Sequence, residues 1–168
     1  MPAPDFHLAL AQPGDAETLA HLSRDLVESG LGWEYRPARI AAFIASPDAV
    51  TLVVRDADRC IGFALMTFGD ERAHLVLLAV LPGYRRKRIG TRMLAWLVDS
   101  ASVAGMSSIH LDLLDDNAAA RAFYRALGFT ETLRLPGYYR GRKTALRMIR
   151  VLRAPRAVVP LWRPPARA

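Results

Sequence analysis

Residues 79–94 run Ala-Val-Leu-Pro-Gly-Tyr-Arg-Arg-Lys-Arg-Ile-Gly-Thr-Arg-Met-Leu, and no other stretch narrows the choice of fold as far. An apolar run meets Pro82-Gly83, and proline lacks the N–H that a central strand must donate, so the strand has to stop there. Apolar spacing at Ile89, Met93, Leu94, Leu97 and Val98 then requires a helix within a few residues. A helix start leaves backbone N–H groups without partners and carries the positive end of the macrodipole, so anions are favoured beside it. Arg85, Arg86, Lys87 and Arg88 stand at that junction, and Gly90 removes a side chain where a phosphate would approach. Four cations alone also make an ordinary solvated turn; their place between a strand end and a helix start favours a phosphate-bearing ligand. The chain has neither Gly-x-x-x-x-Gly-Lys-Ser/Thr nor Gly-x-Gly-x-x-Gly, which disfavours a triphosphatase and a dinucleotide fold.

Alternation and breakers order the rest. Phe6, Leu8 and Leu10 alternate with polar or small residues as a first strand, and residues 15–28 and 37–46 read as helices separated by the loop 31–36. Three strand-like runs at 50–54, 61–68 and 73–81 are joined by short charged turns, which implies an antiparallel meander. A helix over 89–104, a strand over 108–114, a helix over 117–127 and strands over 129–135 and 144–152 follow, the last two flanking a loop at 136–143. The order is β-α-α-β-β-β-α-β-α-β-β, an α/β (α+β) fold with a mixed, mostly antiparallel sheet of about seven strands and four helices.

At 168 residues and 52% hydrophobic content the chain is expected to form one domain over residues 1–152, followed by a Pro/Arg-rich tail over 153–168. Its apolar runs fall far short of the roughly 20 residues that cross a bilayer, and residues 1–5 do not open a secretory signal. Cys60 is the only cysteine, and a reducing cytoplasm is the expected setting. His7, His21, His74 and His110 lack metal-ligand spacing, so no metal is expected.

The net charge of +7 is unevenly placed: residues 1–131 hold 13 basic and 16 acidic side chains, whereas residues 132–168 hold ten basic and none acidic. Such a segment can attract nucleic acid, an anionic membrane or an acidic partner. An Arg-rich composition throughout explains it equally simply, and no nucleic-acid or membrane partner is expected.

Residues 80–90, Val-Leu-Pro-Gly-Tyr-Arg-Arg-Lys-Arg-Ile-Gly, resemble the acyl-CoA signature of the GNAT superfamily of N-acetyltransferases, Arg/Gln-x-x-Gly-x-Gly/Ala after a strand ending in Val-x-Pro. Arg85 and Gly90 match its outer positions; Arg88 stands where the family most often has glycine. Residues 117–129, Asn-Ala-Ala-Ala-Arg-Ala-Phe-Tyr-Arg-Ala-Leu-Gly-Phe, are similar to that family's Asn-x-x-Ala-x-x-Phe-Tyr-x-x-x-Gly-Phe helix. The likeness extends over about residues 5–152.

What the resemblance implies is an acetyl-CoA-dependent N-acetyltransferase, working as a monomer or homodimer. The donor would be held by the backbone of Leu78, Ala79 and Val80, by Arg85, Arg86, Lys87, Arg88, Gly90 and Thr91 at the turn, and by Asn117 and Tyr124. Tyr124 matches the family's general acid, and a phenol of ordinary pKa about 10 is protonated at neutral pH. Leu111-Asp112-Leu113 followed by Asn117 most resembles the Leu-Glu-Val-(x)₃-Asn pattern of the ribosomal-protein alanine N-acetyltransferases. That makes Asp112 the candidate base, directly or through water, and its half-buried place on a strand suggests a raised pKa; pairing with an arginine is the alternative. Tyr138 and Tyr139 resemble the paired tyrosines that hold a peptide in protein N-terminal acetyltransferases. The loop containing Trp33, Glu34 and Tyr35 would form the opposite wall, with Glu34 the only nearby carboxylate able to hold an ammonium. The basic loop around Arg140, Arg142 and Lys143 would favour a neutral or acidic acceptor. A small-molecule amine is the rival acceptor, and a CoA- or RNA-binding module with vestigial catalysis is the rival from another class.

Overall fold

The computed structural model describes residues 5–153. The order is β1 (His7–Leu10), α1 (Ala16–Leu22), α2 (Pro37–Ala45), β2 (Ala49–Asp56), β3 (Arg59–Phe68), β4 (Arg72–Val80), α3 (Ile89–Val103), β5 (Ser108–Leu114), α4 (Ala118–Ala126), β6 (Thr130–Tyr139) and β7 (Lys143–Val151). One sheet has strand order β1-β2-β3-β4-β5-β7-β6, antiparallel everywhere except between β4 and β5. The fold is thus the mixed, mostly antiparallel one that the pattern implies. Among the described residues no helix is long and apolar enough to cross a membrane. Apart from Arg153, the expected tail lies outside the described residues.

Each face of the sheet carries its own core. Ile61, Met66, Met93, Leu94, Leu97, Leu111 and Phe129 fill one side under α3 and α4; Leu19, Ile40, Phe63, Leu65 and Leu77 fill the other under α1 and α2. Two segments differ from expectation. The first helix changes at Ser23–Val27 into a π-helical turn, closed by Glu28 N–H on the Ser23 carbonyl at 2.8 Å. The expected loop at 136–143 is mostly strand, because β6 is an edge and an edge tolerates Pro136 where a central strand would not. Pro136 and Gly137 are absorbed as an irregularity between Leu135 and Tyr139.

β4 holds the feature that shapes everything beyond it. Across β3, Leu65 pairs with Leu77 and Met66 with Leu75, so Val76 is an extra residue. Val76 and Leu77 consequently face the same core, whereas strict alternation would separate them. β4 pairs with β5 only at Arg72, Ala73 and His74, before the bulge. Bulges bend and twist a strand, and from Leu75 onward the two strands part.

Deleting Val76 leaves Leu75, Leu77, Leu78, Ala79 and Val80 on their present faces in regular alternation. The variant is expected to unfold cooperatively, within about 2 kcal/mol of the parent, with β4 and β5 zipped together. Amide hydrogen exchange checks this: Leu78 and Val80 should change from fast to protected, and unchanged fast exchange would refute the bulge as the cause of the splay.

Candidate active site

Beyond His74, among the described residues, the outer edge of β4 has no strand beside it. Leu81 N–H donates to the Ile61 carbonyl at 2.8 Å, toward β3. Since successive residues of a strand turn their N–H and C=O groups to opposite sides, Val80 and Leu78 point theirs into the gap left by β5. The Val80 carbonyl is met there by Arg85 Nε at 3.2 Å, which leaves the Val80 N–H open to a ligand.

The turn after β4 is anchored by Tyr84, whose hydroxyl donates to Asp56 at 2.8 Å. Arg86 and Arg88 both adopt positive φ, 63° and 61°, and Arg88 is the N-cap of α3. A left-handed residue followed by helical Ile89 turns successive N–H groups to one side, the concavity that receives anions. Glycine would sit there without strain, whereas arginine costs about 1–2 kcal/mol; Arg88 thus keeps the geometry at some expense. Among the described residues none of Arg85, Arg86, Lys87 and Arg88 forms an ion pair. The bareness of Gly90 has a second use, since a Cβ there would meet the Phe123 ring of α4, Cζ at 3.2 Å.

A cleft of about 800 Å³ opens where the strands part. It brings together Leu78, Asp112, Asn117 and Tyr124 with Trp33, Glu34, Tyr35, Tyr138 and Tyr139. Ala79, Val80, Arg85, Arg86, Lys87, Arg88, Gly90 and Thr91 do not line it: Ala79 is buried in the core and turns its backbone toward β3, Val80 ends β4, and the others form the turn and the first residues of α3. Asn117 commits its Oδ1 to capping α4, accepting from Ala120 N–H at 3.1 Å.

Tyr124 is buried between Phe123 and Phe129, with ring centroids 5.0 and 5.6 Å away. Burial pushes its phenol well above the usual value, so the group is protonated throughout the physiological range. It lines the cleft, and among the described residues its hydroxyl has no hydrogen-bond partner.

Asp112 departs from expectation. Burial alone would raise its pKa, but Arg147 Nε and Nη2 bind its two oxygens at 2.8 and 3.0 Å and the Tyr138 hydroxyl donates at 3.2 Å. The carboxyl is held below its ordinary range, and the expected raised pKa is overturned. Beside it, His74 and His110 stack at 4.5 Å; burial, then the neighbouring imidazole, lowers His74 to about 4, so it is neutral at pH 7.

Glu34 is also reassigned by its surroundings, for its carboxylate binds Arg39 at 2.6 Å in an exposed position. It is not the only carboxylate near the cleft. Glu28, only 7% exposed, lines the same cleft. One of its oxygens accepts from the Glu34 and Tyr35 N–H groups at 2.7 and 3.1 Å, and the other from Ser23 Oγ at 2.9 Å. Trp33 Nε1 donates to the Ala20 carbonyl at 3.1 Å, so this wall is held from both ends.

The model of the acetyltransferase (GNAT) family matches residues 18–129. Over 82 residues the chain is 34% identical to the [ribosomal protein bS18]-alanine N-acetyltransferase of Salmonella typhimurium, covering 49% of this chain and 55% of that protein. The chain thus spans little more than half the length of that relative. The crystal structure of the ribosomal-protein-S18-alanine N-acetyltransferase from Escherichia coli superposes with a TM-score of 0.78 at 22% identity, covering 92% of this chain and 99% of that one. Arabidopsis thaliana NAA60 in complex with acetyl-CoA gives a TM-score of 0.78 at 18% identity, covering 88% and 98%. These two likenesses are of fold.

The Asp112–Arg147 pair carries a pH signature. Because the folded pKa of Asp112 is depressed, its contribution is present above the unfolded value near 3.9 and is lost as pH falls through the folded one. Arg147→Met leaves a carboxylate desolvated and is expected to cost about 1–3 kcal/mol at pH 7. Urea denaturation across pH should show the gap to the parent narrowing below about pH 4; a gap independent of pH would contradict the pairing.

Proposed function

This chain belongs to the GNAT family of acetyltransferases, and on that footing we propose that it transfers the acetyl group of acetyl-CoA to a primary amine. The acceptor in this reading is the α-amine of a protein or peptide N-terminus, which attacks the thioester directly in a ternary complex. The observation that carries it is Tyr124, a buried ring whose protonated hydroxyl, unpartnered among the described residues, lines a cleft bounded by an unpaired strand edge and two aromatic walls.

The donor's features find counterparts in this chain. The free edge of β4 offers the Leu78 backbone groups to a pantetheine amide, as a neighbouring strand would. The turn offers helix-start N–H groups and four cations to the phosphates. Acetyl-CoA supplies an activated acyl group; the protein aligns it, donates a hydrogen bond to its carbonyl from Val80 N–H, and returns a proton to the leaving sulfur from Tyr124. Tyr124 suits the last task because its phenol is fully protonated at neutral pH and lines the cleft, where it can give its proton to the departing thiolate.

Removal of the amine's proton needs less than the sequence suggested. An N-terminal α-amine has a pKa of about 8 and is partly neutral at physiological pH. Once its nitrogen bonds to the acyl carbon it becomes far more acidic, and a weak base suffices. Asp112, ionised against Arg147, and neutral His74 both line the cleft and receive that proton through water in this reading. The two acceptor walls, Trp33 to Tyr35 and Tyr138 to Tyr139, hold the extended peptide by aromatic contact. The share of sequence held in common with a relative named for acetylating a ribosomal-protein alanine supports a protein N-terminus over a free amine.

Tyr124→Phe is expected to lower kcat by about 10²–10⁴-fold while acetyl-CoA affinity stays within threefold. Stopped-assay turnover together with calorimetric titration of acetyl-CoA tests both halves, and unchanged kcat would remove Tyr124 as the acid. With any N-terminal peptide acceptor, kcat/KM should rise with pH along the titration of the peptide's own amine. A controlling pKa between 5 and 7 that stays fixed when the acceptor is changed would instead assign the step to a protein base.

A further inference from the structure

The two walls of the cleft meet through one side chain. Arg140 stands at the tip between β6 and β7, in the left-handed region at φ 51°. Its guanidinium lies against Gly32 so closely that a Cβ on Gly32 would overlap it. Gly32 has φ 83°, a conformation that suits glycine. Both sides of this contact are braced. The tip is closed by Gly141 N–H on the Gly137 carbonyl at 2.9 Å and by Arg142 N–H on the Tyr139 carbonyl at 3.0 Å. The opposite loop is pinned by Glu28, through its bonds to Glu34 and Tyr35.

The charges around the cleft isolate Arg140 further. Glu34 is taken by Arg39 and Asp112 by Arg147, while both oxygens of Glu28 accept hydrogen bonds. Among the described residues Arg140 forms no ion pair, yet it lines the acceptor side of the cleft. A non-glycine residue held in a left-handed conformation persists where its surroundings over-determine it. Here that conformation delivers a planar, five-donor cation across the mouth.

Resting on the acetyl-transfer reading above, we infer that Arg140 is a specificity-determining residue that binds a carboxylate carried by the acceptor close to its reactive amine. A guanidinium matches a carboxylate with two parallel N–H···O bonds, which a lysine in its place would not reproduce. The same chemistry has two sources: an acidic side chain at the second or third position of a peptide, or the α-carboxylate of a free amino acid. Gly32 completes the subsite by leaving room for the guanidinium between the walls.

The test compares kcat/KM for peptides that differ only as Asp against Asn at position two or three, and for free amino acids against their amides. The parent enzyme should prefer the carboxylate member by about tenfold or more in one series, and that series identifies the source. Arg140→Gln should bring the ratio to within twofold of unity, and Arg140→Lys should retain part of it. Arg140→Glu should invert the preference toward a Lys-bearing peptide, a gain that a misfolded variant cannot produce. Equal use of acid and amide by the parent, or a ratio that Arg140→Gln does not change, overturns this inference alone. Absence of acetylated product from every acceptor would overturn the acetyl-transfer reading, and this one with it.

Discussion

Parallel strands β4 and β5 share three residue pairs and then separate, and every other functional feature depends on that parting. A central strand with an open edge leaves N–H and C=O groups that need partners, because buried backbone polar groups are costly when unmet. Among the described residues no strand fills the gap. The chain supplies Arg85 for the Val80 carbonyl and leaves the Val80 N–H on the open edge of β4. The extra residue Val76 produces the parting without disturbing the core, since Leu77 and Ala79 stay buried on one face while Leu78 and Val80 pack on the other.

Around this gap the charges divide by task. The cations after β4 remain unpaired among the described residues, where phosphates would neutralise them. The carboxylates of the acceptor side are instead engaged: Asp112 fixes Tyr138 and Arg147, and Glu28 fixes the backbone of the opposite wall. Their first effect is geometric. An aspartate held this firmly keeps its charge and its place, and it takes a proton only from a strong acid. That fits an acceptor amine already partly neutral before it reacts.

Local patterns in the sequence reached the fold and named many of the residues that it brings together in the cleft. Pro82-Gly83, the cations and the spacing from Ile89 placed a strand end and a helix start correctly, because breakers and periodicity are local signals. Tyr124 was legible through the likeness of residues 117–129 to a family helix, since a lone helical tyrosine otherwise reads as core, and in the structure Phe123 and Phe129 enclose it. What escaped depends on contacts distant in sequence. Arg147 lies 35 residues beyond Asp112 and meets it only through the β5–β7 register, so the carboxylate's depressed pKa could not be read from residues 111–117. Glu28 resembles any acidic residue before a Ser-Gly stop, until the loop folds back over it. The strand through Pro136 was hidden because proline argues against a strand unless the strand is known to be an edge.

The central claim is that the β4 edge and the turn after it receive acetyl-CoA. The most direct measurement is a titration of the ¹⁵N-labelled protein with CoA, followed by amide resonances and hydrogen exchange. The account predicts that Val80 and Leu78, with Arg88, Ile89 and Gly90, show the largest shifts and become protected. Large shifts confined to other elements, with the Val80 amide unmoved at saturation, would contradict it.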